Sequence, residues 1–269
     1  MTGALSHCLT ADAILMGIRP ARIGRKVVVL EEIESTNSYS LDQIAARGAE
    51  SDGHVVFAEY QTAGRGRLGR SWLCPRGAGV MFTAMIWERP AGLSVTRLIM
   101  ATALAVARGI EAATDVASVI RWPNDIFVKT KKVAGILVEA RPDGDGPMPV
   151  AIGVGINCLQ HRDHFAEDLR DQATSLEMES RRPIDRVEVA RAVLRELDEM
   201  LGPVTRWTDE ALAAAWLERI GDIGERVAVK ADGRTYTGHV LDVHPQTGLI
   251  IQLDSGTRRQ FDLATVSRA

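Results

Sequence analysis

Three short constellations in the chain carry residue types that do chemistry. The first runs Glu59-Tyr60-Gln61-Thr62-Ala63-Gly64-Arg65-Gly66-Arg67-Leu68-Gly69-Arg70-Ser71-Trp72 and sets three glycines and three arginines within the seven residues 64–70. Glycine tolerates φ > 0 and close approach of backbone to a ligand, and arginine presents a permanently charged fork that matches carboxylate or phosphate. Such a loop suits a small anionic ligand, with Arg65 or Arg67 turned inward where a carboxylate and a phosphate, which repel each other, must meet. The second constellation is Asn124-Asp125 with Lys132. An exposed Asp–Lys pair is worth only about 0–1 kcal/mol. Here Trp122-Pro123 and the apolar run 133–138 favour partial burial instead. A lysine at the mouth of a buried strand steadies charge on a reacting carboxylate or phosphate. The third is Gly153-Val154-Gly155-Ile156-Asn157, joined by Gly135. Glycines inside strands mark close approach of a ligand or a β-bulge, and this motif alone does not choose between them.

Periodicity indicates the elements that hold these groups. After a lead-in with a short helix at 10–16, residues 26–30 read as a strand. Ser35-Thr36-Asn37 then offers N-cap chemistry before Leu41, Ile44 and Ala45 at helical spacing, stopping at Arg47-Gly48. On residue types alone, capping is preferred over facing a ligand for those polar side chains. Residues 54–60 form a strand that delivers the glycine–arginine loop, and 80–87 a strand too apolar to be an edge. Leu98, Ala101, Ala105 and Ala112 mark one helix face, and strands follow at 119–122 and 126–128 around Pro123. Strands at 133–141 and 150–156 are joined by a turn at 142–147, and 158–182 is polar and irregular. His161 and His164 lie there without the carboxylate or cysteine context that completes a metal site. Asp185 with Glu188 resembles a capping box ahead of a helix ending at Gly202-Pro203, and a second helix carries Leu212, Trp216 and Ile220. From 221 onward, short strands separated by Asp232-Gly233, Gln246-Thr247-Gly248 and Ser255-Gly256 indicate a small β-barrel. The expected division is a lead-in 1–24, a catalytic domain 25–219 and a small C-terminal domain 220–269.

Composition narrows the function. The net charge of −3 supplies no global basic field for nucleic acid, so a single Arg-x-Arg is weak support for that partner. No apolar run approaches the about 18–20 residues of a membrane span, and the N-terminus lacks a secretory pattern. Three scattered cysteines, Cys8, Cys74 and Cys158, suit neither a disulfide framework nor a zinc site, which points to a reducing cytoplasm. The letters Gly64-Arg65-Gly66-Arg67-Leu68-Gly69 satisfy the dinucleotide fingerprint, but only about ten residues, with Pro75, Gly77 and Gly79 among them, separate the loop from the next strand. A crossover with its helix needs at least about 10–12 residues of its own, so that reading fails.

Taken together, the motifs resemble the biotin–protein ligase family. Glu34-Ser35-Thr36-Asn37, the Gln61 to Trp72 stretch, Arg121-Trp122-Pro123-Asn124-Asp125, Lys132-x-Ala134-Gly135-Ile136-Leu137-Val138-Glu139 and Gly153-x-Gly155-Ile156-Asn157 occur in that family's order across roughly residues 25–180. The resemblance implies an α/β (α+β) fold: a mixed β-sheet catalytic domain flanked by helices, of the biotin/lipoate ligase type, with a small C-terminal SH3-like β-barrel. It implies two steps: biotin and ATP, with Mg²⁺, give biotinyl-5′-AMP, and a lysine of a biotin carboxyl carrier protein or carboxylase domain then takes the biotinyl group. Carried over residue by residue, it makes Lys132, Arg67 and Asp125 catalytic, with Asp125 also the metal contact. Ser35, Thr36, Asn37, Gln61, Gly64, Arg65, Gly66, Arg67, Lys132 and Gly135 become the biotin binders, and Arg65, Arg67, Trp72, Asn124 and Asn157 the nucleotide contacts. Some members carry an N-terminal winged helix and repress transcription. With the first motif starting at Glu34, neither that domain nor a repressor role is expected. DNA and membrane are not expected partners, and a homodimer stays open. Two alternatives are a lipoate or octanoyl ligase of the same fold, whose pocket would hold a flexible chain, and a biotin-sensing protein without turnover, which would not need Lys132 and Asp125.

Overall fold

The computed structural model describes residues 8–87, 93–141, 148–203 and 207–268. A short helix, α1 (Ala11–Leu15), capped by the Thr10 side chain, precedes the main sheet. The sheet comprises β1 (Lys26–Leu30), β2 (His54–Ala58), β3 (Gly79–Ile86), β4 (Val119–Arg121), β5 (Asp125–Val128), β6 (Lys131–Ala140) and β7 (Val150–Asn157). Their spatial order is β1-β2-β3-β7-β6-β5-β4. β1 and β2 run parallel, joined through α2 (Thr36–Arg47); every other pairing in this sheet is antiparallel. β3 and β7 lie at the centre and are buried at every position, which is why β3 reads as an unbroken apolar run.

The two faces of the sheet have different jobs. Ile152, Val154 and Ile156 of β7, with Val80, Phe82 and Ala84 of β3, pack in the main core with α3 (Val95–Ala113) and α5 (Arg186–Leu201). Those helices touch so closely that a Cβ on Gly109 would lie 2.6 Å from Val193 Cα. The alternate positions, Gly153, Gly155 and Asn157 on β7 and Met81 and Thr83 on β3, therefore face the opposite side, over which the start of α2 lies. On β6 the same face carries Gly135, Leu137 and Glu139. Lys132 joins it because the β5–β6 register jumps from Ile126↔Ala134 to Phe127↔Lys132, leaving Val133 as an extra residue. A β-bulge of this kind re-aims a side chain, and here it turns two residues spaced by three toward one face.

The small sheet comprises β8 (Arg226–Ala231), β9 (Arg234–His244), β10 (Gly248–Leu253), β11 (Arg258–Phe261) and β12 (Ser267–Arg268), in the order β11-β10-β9-β8-β12 and antiparallel throughout. Asp232 and Gly233, both at positive φ, make the two-residue turn between β8 and β9, as the Asp-Gly pair indicates. Val240, Leu249, Ile251 and Phe261 join the same apolar core as the main sheet. Ser94 and Thr96 at the start of α3 tie to Pro245 O and Asp262. α6 (Asp209–Leu217) lies between, with Trp216 Nε1 donating to Met100 O at 2.9 Å.

Several sequence expectations need correction. Asp185 caps α5 by accepting from Val187 N, but Glu188 pairs with Arg191 rather than completing a capping box. The segment 158–182 is less irregular than its polarity suggests: α4 (Leu176–Glu179) is helical and Gln160, Thr174 and Ser175 are buried. Its Thr174 N and Gln172 O bond to the backbone of Lys132 and so fix that residue's strand. The turn expected at 142–147 lies outside the described residues.

Candidate active site

The start of α2 supplies one wall. Ser35 occupies the N-cap with extended backbone, yet its side chain makes no cap hydrogen bond. The preference for capping is thus overturned: Ser35, Thr36 and Asn37 are buried against the sheet. Gln61, just past β2, accepts at Oε1 from Thr36 N at 2.7 Å and lies 3.1 Å from Thr36 Oγ1. Thr83 Oγ1 donates to Asn37 Oδ1 at 2.6 Å and lies 2.9 Å from Thr36 Oγ1. The result is a patch of amide and hydroxyl groups at the foot of an otherwise apolar sheet.

The glycine–arginine stretch is a tight hairpin. Trp72 N donates to Gly64 O at 2.8 Å, Gly66 N to Arg70 O at 2.7 Å, and Leu68 and Gly69 turn at positive φ. A Cβ on Gly64 would lie 2.3 Å from Trp72 O, so the close pairing of the two limbs requires glycine. Trp72 folds back onto the sheet, where a Cβ on Gly155 would meet its Cε2 at 2.5 Å and one on Gly135 its Cζ3 at 3.2 Å. The glycines in the strands thus serve close approach. The bulge lies elsewhere, at the start of β6.

The charged groups gather at one end. Lys132 Nζ lies 2.7 Å from Asp125 Oδ1 and 5.8 Å from the Trp72 ring centre. Arg67 donates from Nη1 to Asn124 Oδ1 at 3.3 Å and from Nη2 to the carbonyls of Val266 at 2.6 Å and Ala264 at 3.3 Å. Burial lowers the pKa of Arg67, opposed by the charges of Asp125 and Asp262. Asn124 is itself fixed by its Nδ2, which donates to Ile136 O at 2.6 Å. The arrangement places two cations and one carboxylate beside a polar patch, which suits two anions brought together and activated.

The structure gathers most of the expected residues around one cleft: Ser35, Thr36, Asn37, Gln61, Arg65, Gly66, Arg67, Trp72, Asn124, Lys132 and Gly135 line it, with Gly153 and Gly155. Gly64, Asp125 and Asn157 are outside that lining. Gly64 closes the hairpin and Asp125 stands beside Lys132. Asn157 is buried, its Nδ2 donating to Thr174 O at 3.0 Å and its Oδ1 accepting from Gln160 Nε2 at 3.0 Å. Sequence reasoning missed Thr83, whose apolar strand hid it, and the contact of Arg67 with 264–266, which nothing local signals. It also missed Arg186, buried where β2 ends and β3 begins and paired there with Glu59.

Among the described residues no three His, Cys, Asp or Glu side chains gather as a metal cluster. His161 and His164 bond to each other through His161 N and His164 Nδ1. Cys74 and Cys158 are buried and Cys8 is exposed. Burial raises the Cys74 thiol from 9.0 to about 12 and raises Cys158 as well. In the folded protein, a thiol reagent at pH 8 therefore labels Cys8 alone, and mass spectrometry showing fast labelling of all three would contradict this. Because the folded value of Cys74 is the higher one, its contribution to stability is full below pH 9 and falls as pH rises toward 12.

A family model described as the biotin/lipoate A/B protein ligase family matches residues 29–157. The chain is 33% identical over 243 residues to the biotin–[acetyl-CoA-carboxylase] ligase of Mycobacterium tuberculosis, with 87% of this chain and 85% of that one covered. The chain belongs to the biotin/lipoate A/B protein ligase family. The ligase is also 30% identical over 253 residues to the bifunctional ligase/repressor of Bacillus spizizenii, covering 94% of this chain and 77% of that one. Its fold matches the structure described as biotin protein ligase from Aquifex aeolicus in complex with biotin and ATP. The TM-score is 0.77 at 25% identity, with 91% of this chain and 99% of that one covered. No helix among the described residues of the ligase is long and apolar enough to cross a membrane.

Proposed function

We propose that this chain is a biotin–protein ligase that joins biotin to ATP as biotinyl-5′-AMP and passes the biotinyl group to a lysine of a carboxylase carrier domain. The observation that carries the reading is the cleft itself, with a polar foot built from Thr36, Asn37 and Gln61 and a cationic end built from Arg67 and Lys132. A urea-like ring presents one carbonyl acceptor and two N–H donors, which the hydroxyl and amide groups at the foot match. A flexible aliphatic acid has no hydrogen-bonding group to offer them and gains nothing from that end of the cleft.

In the first step a carboxylate oxygen of biotin attacks the α-phosphorus, and the bond to pyrophosphate breaks. Lys132 and Arg67 offset the charge of the two anions as they approach. Trp72, resting on the glycine floor, supplies an aromatic face for adenine. In the second step the acceptor amine, after losing a proton, attacks the acyl carbon; the C–O bond to AMP breaks and an amide forms. The hairpin 64–72 covers the mixed anhydride in the interval and limits attack by water. The oxygen donors at this end fit Mg²⁺ held mainly by the nucleotide's phosphates. Asp125 is the protein carboxylate at hand, since that ion takes one or two carboxylates and keeps other ligands. Bound there, the ion would neutralise phosphate charge. In this reading residues 25–219 are the catalytic domain and 220–269 the small C-terminal domain, and the compartment is cytoplasmic.

Biotin-dependent exchange of labelled pyrophosphate into ATP tests the proposal. Exchange is expected with biotin and not with lipoate; the reverse pattern assigns the cleft to the aliphatic acid and ends the biotin reading.

A further inference from the structure

Arg65 reaches away from the reacting end. Its guanidinium pairs with Glu139 on β6, and its Nη1 donates to Ser38 Oγ on α2 at 3.1 Å. Glu139 Oε2 accepts from Asn37 Nδ2 at 2.8 Å. Asn37 Nδ2 also lies 3.2 Å from Leu137 O, and Asn37 Oδ1 accepts from Thr83, so the amide has one orientation that satisfies all its partners. Thr83 Oγ1 lies 2.9 Å from Thr36 Oγ1, and Thr36 N donates to Gln61 Oε1 at 2.7 Å. A continuous run of hydrogen bonds thus connects the polar foot of the cleft to the hairpin above it, through Glu139.

We infer that Glu139 is a positioning residue: it seats Arg65, and with it the hairpin 64–72, over the cleft, and Asn37 couples that seat to the cleft floor. The functional half of the inference rests on the ligase reading above; the structural half does not. Apart from Trp72, the hairpin buries no large apolar side chain, and Leu68 at its tip is 69% exposed. Its place is set by three ties: Arg65 on Glu139, Arg67 on Asn124 and the 264–266 carbonyls, and Trp72 on Gly155. A segment held by few contacts opens locally at low cost, so removing one tie raises the open population directly. Glu139 forms the one of these ties that is an ion pair, and Asn37 on the floor is its second bonded partner. It touches neither Lys132 nor Asp125 and acts through Arg65.

Hydrogen exchange of peptides covering residues 61–73, measured by mass spectrometry on the full chain without ligand, tests the seat. Glu139→Gln is expected to speed exchange there by about tenfold while peptides from α5 keep the wild-type rate. Arg65→Gln should do the same, and the double variant should be no faster than either single one, because both remove one contact. With biotin and ATP, Glu139→Gln should release the adenylate about tenfold faster and raise KM, with the single-turnover rate of adenylation within about twofold of wild type. Unchanged exchange at 61–73, or additive effects in the double variant, overturns the inference. A wild-type protein that exchanges no pyrophosphate with biotin removes the ligase reading instead and leaves the hydrogen-exchange result to stand alone.

Discussion

Replacing Lys132 with alanine lowers biotin-dependent pyrophosphate exchange by at least about 10²–10³-fold, the usual loss when a preorganised group facing developing charge is removed. Biotin still binds, because Thr36, Asn37 and Gln61, which form the polar foot, are untouched. Lys132 suits this role for two reasons. Its backbone is clamped on one side by Gln172 and Thr174, and its ammonium is aimed by Asp125 at 2.7 Å. Arginine is expected to rescue poorly, since a planar fork does not reproduce a compact point charge beside the Trp72 ring. Exchange assays together with calorimetric titration of biotin separate the two effects. If Lys132→Ala keeps wild-type exchange, Lys132 does not act on the reacting groups.

The second large effect concerns stability. Arg186 Nη1 donates to Glu59 Oε2 at 2.8 Å and to Gly79 O at 2.9 Å, Nη2 reaches Glu59 Oε1 at 3.3 Å, and Leu9 N donates to Glu59 Oε1 at 2.7 Å. Both side chains are almost wholly enclosed, at 2% and 6% exposure. Removing either partner leaves a buried charge uncompensated, so Glu59→Ala or Arg186→Ala should each cost about 3–5 kcal/mol. In a chain of this size that lowers Tm by roughly 10 °C. The paired replacement Glu59→Gln with Arg186→Met should recover much of the loss, since no charge is then buried. Denaturant unfolding measures all three; single variants within about 1 kcal/mol of wild type would show that water reaches the pair.

The residues that line the cleft were mostly legible in the sequence because their types are unusual where they stand. Glycines inside strands, arginines packed between glycines and a lysine before an apolar run each violate the local rule for their element. The strands and helices were legible because the burial that produces their periodicity is local to each element. What escaped was set by pairing across the chain. Glu139 ends a motif that reads as an ordinary strand, and only the hairpin's return over β6 gives its carboxylate a partner. Thr83 sits in an all-buried strand whose apolar character concealed it. Residue type favours capping for Ser35 because helix starts usually use that chemistry; the sheet beneath α2 outweighs the preference. Arg67 gained carbonyl partners about 200 residues away, 197 and 199 positions on, which no window of sequence contains.

The glycine floor has a consequence for how selectivity in this cleft can change. A Cβ at 153 would stand 2.2 Å from Asn37 Oδ1, and one at 155 would stand 2.5 Å from the Trp72 ring. A surface already reduced to backbone can be made shallower by a single substitution, yet it has no side chain left to give up. At Gly153 and Gly155 the depth of the cleft is therefore at its limit. Over these glycines, room for a bulkier acid has to come from above, by displacing Trp72 or the first turn of α2.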